Sequence, residues 1–160
     1  MPKQSGGLLM FRYRESALEV FLVHPGGPFW AKKDAGAWGI PKGEYTADED
    51  ALDAARREFQ EETGFTADGN FLELGAVKQA GGKVVSVWGV EGDCDPAALV
   101  SGTFQMEWPP RSGRQAEFPE VDRGAWFSLE EARERILSSQ RPVLDLLTKR
   151  LNAAQSEEVS

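Results

Sequence analysis

The sequence predicts one α/β domain in which a mixed sheet is covered by helices, and three observations carry that expectation. A chain of 160 residues is the size of a single ordinary domain. Its composition, 41% hydrophobic, 28% charged and 10% aromatic, is that of a globular protein. Apolar strand-like runs come first, a strongly patterned helix follows, and further strands precede a helical end, the order of a sheet with helices laid against it.

The first strands read as Gly7 to Arg14 and Leu18 to His24, two apolar runs joined by the polar turn Glu15 and Ser16. From Pro25 to Gly43 the chain is loop-like, glycine-rich with three prolines and two tryptophans. Thr46 to Thr63 is the clearest helix. Thr46 and Glu49 have capping-box spacing, the acids 48 to 50 suit the positive end of the helix dipole, and Gly64 suits a left-handed exit. Beyond it, "FLELGAVKQAGGKVVSVWGVEGD" reads as a hairpin turning at Gly81 and Gly82, with Val84 to Val90 returning. "TFQMEW" reads as another strand, the segment from Pro109 to Gly124 as a polar loop, and "AWF" as the entry to a helix beginning near Ser128. A last helix is expected from Pro142 to about Asn152, so the domain spans 1–152 and 153–160 forms a frayed tail.

Charge and cysteine content narrow the function classes. The 26 acids exceed the 18 bases, a formal net charge of -8, which argues against neutralising the phosphates of a nucleic-acid duplex. A small phosphorylated ligand stays compatible if a divalent cation mediates. Cys94 is the only cysteine and stands among acids, so neither a disulfide nor a reactive thiolate is expected. No apolar run approaches a membrane span and the start lacks a signal-peptide stretch, so the expected compartment is the cytoplasm.

The stretch "RREFQEETGF" poses the chemical question. On a helix, Leu52, Ala55 and Phe59 share one stripe, Arg56, Gln60 and Asp53 share the solvated side, and Glu58 and Glu62 fall at the border with Glu61 beside them. Like charges at this spacing repel. A solvated acidic face relieved by Arg56 and Arg57 is the plain explanation, but carboxylates at an apolar border need partners. Three in one patch suit a hard cation such as Mg2+, which also holds substrate phosphates.

From Gly43, five residues lead to Glu49, seven more to Arg57 and Glu58, and then Phe59, Glu61, Glu62, Gly64 and Phe65 complete a pattern of nine defined positions. This resembles the Nudix box, G-x5-E-x7-R-E-U-x-E-E-x-G-U with U bulky and apolar. The resemblance implies an alpha/beta/alpha sandwich and hydrolysis of a nucleoside diphosphate linked to another group. It implies that Glu58, Glu61 and Glu62, with the Gly43 carbonyl, hold Mg2+, with Mn2+ as an alternative ion, and that Arg57 orients the carboxylates while Glu49 supports them.

For the general base the sequence leaves Glu58 and the later acids Glu117 and Glu120. "WGIPKGE" resembles the segment found in hydrolases of dinucleoside polyphosphates and of diphosphoinositol polyphosphates, which makes Lys42 a phosphate contact. Lys32, Lys33, Arg111 and Arg114 are candidate basic contacts, and Phe29, Trp30 and Trp38, with Trp108 and Phe118 behind them, are candidates for stacking a base. His24 reads as a satisfied turn residue. The expected ligand is therefore a small nucleotide or polyphosphate, taken by a monomer or homodimer. A sanitising hydrolase of non-standard nucleoside triphosphates, and a Nudix-fold binding module without turnover, are the alternatives.

Overall fold

In the computed structural model, residues 4–159 are described, with side chains for all but 80 and 155–159. Two long strands lead, β1 (Gln4–Arg14) and β2 (Ala17–Pro25), followed by a short β3 (Lys42–Glu44) and helix α1 (Ala51–Thr63). Then come β4 (Phe71–Lys78), β5 (Val84–Glu91), β6 (Thr103–Glu107), β7 (Gln115–Pro119) and β8 (Val121–Ser128). Helices α2 (Leu129–Arg135) and α3 (Arg141–Val159) close the chain. Among the described residues no helix is long and apolar enough to cross a membrane.

The sheet runs β4-β5-β1-β2-β8, with β3 also paired to β1. Every pairing is antiparallel except β1 with β5, so the sheet is mixed. Strand alternation sorts the core onto two faces. Leu9 and Phe11 join Val20 and Leu22 beneath Ala132, Leu144 and Leu147 of α2 and α3, whereas Leu8 and Met10 join Phe21 and Val23 beneath Ala55 and Phe59 of α1. The layers are α1, sheet, then α2 with α3, the sandwich that the resemblance implies. Phe59 is fully buried, so truncating it to alanine costs about 3 to 5 kcal/mol. The packing of α1 on β1 needs Gly6, where an added Cβ would lie 2.6 Å from the Ala51 carbonyl oxygen and 2.9 Å from the Ala55 nitrogen.

Four expectations are corrected. Helix α1 starts at Ala51 because Asp50 caps it, its carboxylate accepting from the Asp53 amide at 3.3 Å. Thr46 and Glu49 make only a backbone turn, and Glu49 is taken by Arg57. The segment from Pro109 to Gly124 is not all loop: β7 pairs with β6 in a separate two-stranded sheet, and β8 already begins at Val121. Helix α3 runs to Val159 instead of ending near Asn152, through the segment read as a tail. His24 sits inside β2, fully buried, and exchanges hydrogen bonds through Nδ1 with Asp122 (2.9 Å) and Nε2 with the Lys33 carbonyl (2.6 Å).

Candidate active site

Helix α1 presents its acids over the end of β1 and β3. Its apolar stripe fixes the rotation: with Ala54, Ala55, Phe59 and Thr63 buried, Glu58 and Glu62 are carried to the edge of the covered face. Glu61, next around the cylinder, is 53% exposed. Gly64 at φ 79° ends the helix and returns its amide to the Gln60 carbonyl, as the sequence predicts.

Glu58 meets β3 at Gly43. A Cβ there would lie 2.0 Å from the Glu58 carboxyl carbon, so only glycine admits the carboxylate. Arg57 organises the group: its Nε and Nη2 donate to both oxygens of Glu49, at 2.9 and 2.8 Å, its Nη1 donates to Glu58 at 2.8 Å, and Glu61 lies 3.4 Å away. Such forked, charge-assisted bonds lock geometry as well as lowering energy. They hold the Glu49 carboxyl below the ordinary glutamate range. Glu62 accepts from the Lys42 backbone amide at 2.9 Å.

Burial pushes the Glu58 carboxyl up, against the pull of Arg57, and the charges of Glu61 and Glu120 push the same way. Glu62, withdrawn further from water, is pushed up to about 8, first by burial and then by Glu58 and Glu120. Glu120, remote in sequence, thus shares the field of both helix carboxylates. Glu62, Glu120 and Lys42 line one cavity of about 110 Å³, together with Pro25, Leu137 and Gln140.

Glu120 is held there by its backbone. Its amide donates to the Gly102 carbonyl, the Gly102 amide donates to Glu61, and the Glu120 carbonyl accepts from Gly26. Glu117 faces solvent on β7, so of the two loop acids only Glu120 reaches the cavity. Gln140 escaped the sequence reading. It is 1% exposed, and its Oε1 accepts from the Ile40 amide at 2.9 Å; nothing in the sequence marks it beyond its place just before a helix.

Other candidates are placed differently. Trp38 is corrected: at 4% exposure it belongs to the core, edge-on to Phe127 and His24, with its indole nitrogen donating to Asp34 at 2.7 Å. Its face is covered, and no base can stack on it. Arg111 and Arg114 are exposed in the turn between β6 and β7, away from the cavity, and Lys33 lies over Trp30 at 5.1 Å. The Cys94 thiol is pushed up to about 11 by burial, in keeping with an inert side chain.

Among the described residues, no three acidic, histidine or cysteine side chains stand ready to grip a metal ion. Arg57 and the Lys42 amide hold Glu58 and Glu62 instead. The donor set still fits a hard divalent cation: it is all oxygen and anionic, and two of its carboxyls are shifted upward, by burial first and by neighbouring carboxylate charges after it.

The α/β/α sandwich thus carries an acidic helix beside a cavity edged by Lys42 and the distant Glu120. The model of the NUDIX domain matches residues 5–147, and the chain belongs to the Nudix family of pyrophosphohydrolases. No curated protein matches it in sequence. Among solved structures it resembles the NUDIX domain of Shewanella oneidensis NrtR complexed with ADP ribose, at 18% identity and TM-score 0.66 over 94% of this chain and 89% of that one. It also resembles a C. elegans Ap4A hydrolase in a binary complex, at 21% identity and TM-score 0.66 over 94% and 98% of the two chains. The C-terminal domain of mouse MUTYH, solved with human PCNA, follows at 17% identity and TM-score 0.60 over 93% and 89%. At these identities the likeness is one of fold.

Proposed function

We propose that this protein is a divalent-cation-dependent pyrophosphohydrolase whose substrate is a dinucleoside polyphosphate or a related nucleoside polyphosphate. The observation that carries the reading is the convergence of Glu62, Glu120 and Lys42 on one cavity beside Glu58. Residues of β3, α1 and the start of β8 meet there, which a merely solvated acidic helix does not require. The names of two structural neighbours point the same way, since ADP ribose and Ap4A are both nucleoside diphosphates extended by another group.

Glu58, Glu61 and Glu62, with the Gly43 carbonyl, would hold the cation, Mg2+ in the first instance. When bound, it neutralises pyrophosphate charge and makes a bound water more acidic. The chain's own groups do the rest. Arg57, tied to Glu49, keeps the Glu58 carboxylate from swinging away. Lys42 offers a point charge to a phosphate at the cavity edge. Glu120, anchored on both sides through its backbone, takes the proton from the attacking water.

The test is to incubate the protein with Mg2+ and, separately, dinucleoside polyphosphates, nucleoside triphosphates, ADP-ribose and diphosphoinositol polyphosphates, and to follow nucleotide and phosphate products. Dinucleoside polyphosphates are expected to turn over with the highest kcat/KM. Metal binding without turnover of any of them would replace this reading with a binding module.

A further inference from the structure

The β6–β7 hairpin is outside the main sheet, and its two faces differ. Cross-strand partners share a face. Gln105 with Glu117, and Glu107 with Gln115, form an exposed polar face, whereas Phe104 with Phe118 and Met106 with Ala116 form a half-buried apolar one. The register continues to Trp108, whose amide donates to the Arg114 carbonyl at 2.9 Å, so Trp108 and Arg114 top the apolar face.

The loop after β2 runs up this face. Gly26 is bonded to Glu120 at the hairpin's foot, Gly27 lies against the Phe104 ring, and Phe29 meets Trp108 edge-on at 5.6 Å. Phe29 is nevertheless 60% exposed. Among the described residues, neither Arg111 nor Arg114 makes an ion pair, in a chain with a surplus of acids. An isolated two-stranded ribbon is marginal without something packed on it. The tip therefore exposes an aromatic ring and two cations, and the ladder from Pro119 to Gln115 sets it about 17 Å from Glu120.

We propose that Phe29, Trp108 and Arg114 seat the distal nucleoside of a dinucleoside polyphosphate whose phosphate chain runs down the hairpin to the carboxylates, so that the hairpin selects two-ended substrates. The inference rests on the reading of the site as a polyphosphate hydrolase. A nucleoside triphosphate with its base at the tip has one phosphate fewer to reach the carboxylates than a dinucleoside tetraphosphate, and no second nucleoside to hold beyond them. A second nucleoside at the far end of several linked phosphates reaches the tip, with its base stacked on the ring of Phe29 or Trp108 and its last phosphates near the guanidinium groups.

The experiment compares kcat/KM for diadenosine tetraphosphate and for ATP in the wild type, Phe29→Ala, Trp108→Ala and Trp108→Phe, with size-exclusion chromatography of each. In either alanine variant the preference for the dinucleotide is expected to fall about tenfold, through the KM of the dinucleotide, the loss of one base stack; Trp108→Phe restores most of it. Phe29 lies off the hairpin ladder, so its variant reports even if Trp108→Ala misfolds. An unchanged preference in Phe29→Ala and in a folded Trp108→Ala, or a change of oligomeric state in its place, overturns the proposal while the polyphosphate reading stands. A wild type that hydrolyses ATP but no dinucleoside polyphosphate ends this proposal alone, and one that hydrolyses neither ends both.

Discussion

Arg57 grips Glu49 with two hydrogen bonds, 2.9 and 2.8 Å long, and spends its remaining nitrogen on Glu58 at 2.8 Å. The guanidinium is therefore a brace between the turn ahead of α1 and the carboxylate facing Gly43. Replacing Arg57 by lysine keeps the charge but not the fork. Arg57→Lys is expected to lower kcat about tenfold and Arg57→Ala about a hundredfold, with thermal unfolding of both little changed because the pair is solvent-accessible. Steady-state kinetics over a Mg2+ titration check it: a kcat equal to wild type in Arg57→Ala removes the brace from the mechanism.

Gly43 and Glu58 are in contact across two elements, and that contact is steric. Alanine at 43 would place a methyl 2.0 Å from the Glu58 carboxyl carbon, so the carboxylate must turn out of its place. Gly43→Ala is expected to cut kcat by about a hundredfold or more while the protein stays folded, since the acid can move toward solvent instead of straining the core. Circular dichroism and turnover measured on the same sample decide; activity within a few-fold of wild type shows that Glu58 has no fixed position to lose.

Much of this was legible because it is local. The spacing from Gly43 to Phe65 names the site, and the helical period places Glu58 and Glu62 at the buried edge without reference to the rest of the chain. What escaped depends on distant pairing. The parallel contact of β1 with β5 joins strands separated by the whole of α1 and β4. β7 has five residues of weak alternation, and only its partner β6 makes it a strand. Trp38 stood among the stacking candidates as one aromatic of the long loop, but the bridge to Ile136 and the bond to Asp34 fold it inward. Gln140 carries no motif at all; its meaning comes from the Ile40 amide, a hundred positions earlier in the chain.

Glu62 makes the metal-free protein less stable as pH rises. Its carboxyl is pushed from the ordinary 4.5 up to about 8 in the folded protein, so between those values the unfolded chain gives up a proton the folded one keeps. The stabilisation is complete below the unfolded value and lost as pH rises through the folded one. In the presence of a chelator, urea midpoints are expected to fall from about pH 5 to about pH 8.5, and Glu62→Gln, which cannot ionise, flattens the fall. Adding Mg2+ at the higher pH restores the wild type and not the variant, because the cation binds the carboxylate the proton has left. The same variant loses at least about 100-fold in turnover. Parallel pH curves for the two proteins would mean that Glu62 already ionises normally.

Glu120 separates a base from a bystander. Its backbone is fixed by Gly102 and Gly26, and its charge acts on Glu58 and Glu62. If it accepts the proton of the attacking water, Glu120→Gln lowers kcat by about 100-fold or more, with KM changed little. Its carboxylate also repels the two helix acids, so the amide lets both ionise at lower pH, and the affinity for Mg2+ at neutral pH is expected to rise modestly. The two effects have opposite signs, and that is what makes the variant informative. A turnover defect together with tighter metal binding identifies the base. A defect that disappears when Mg2+ is raised to saturation assigns Glu120 to cation holding, and an unaltered kcat returns the role to Glu58.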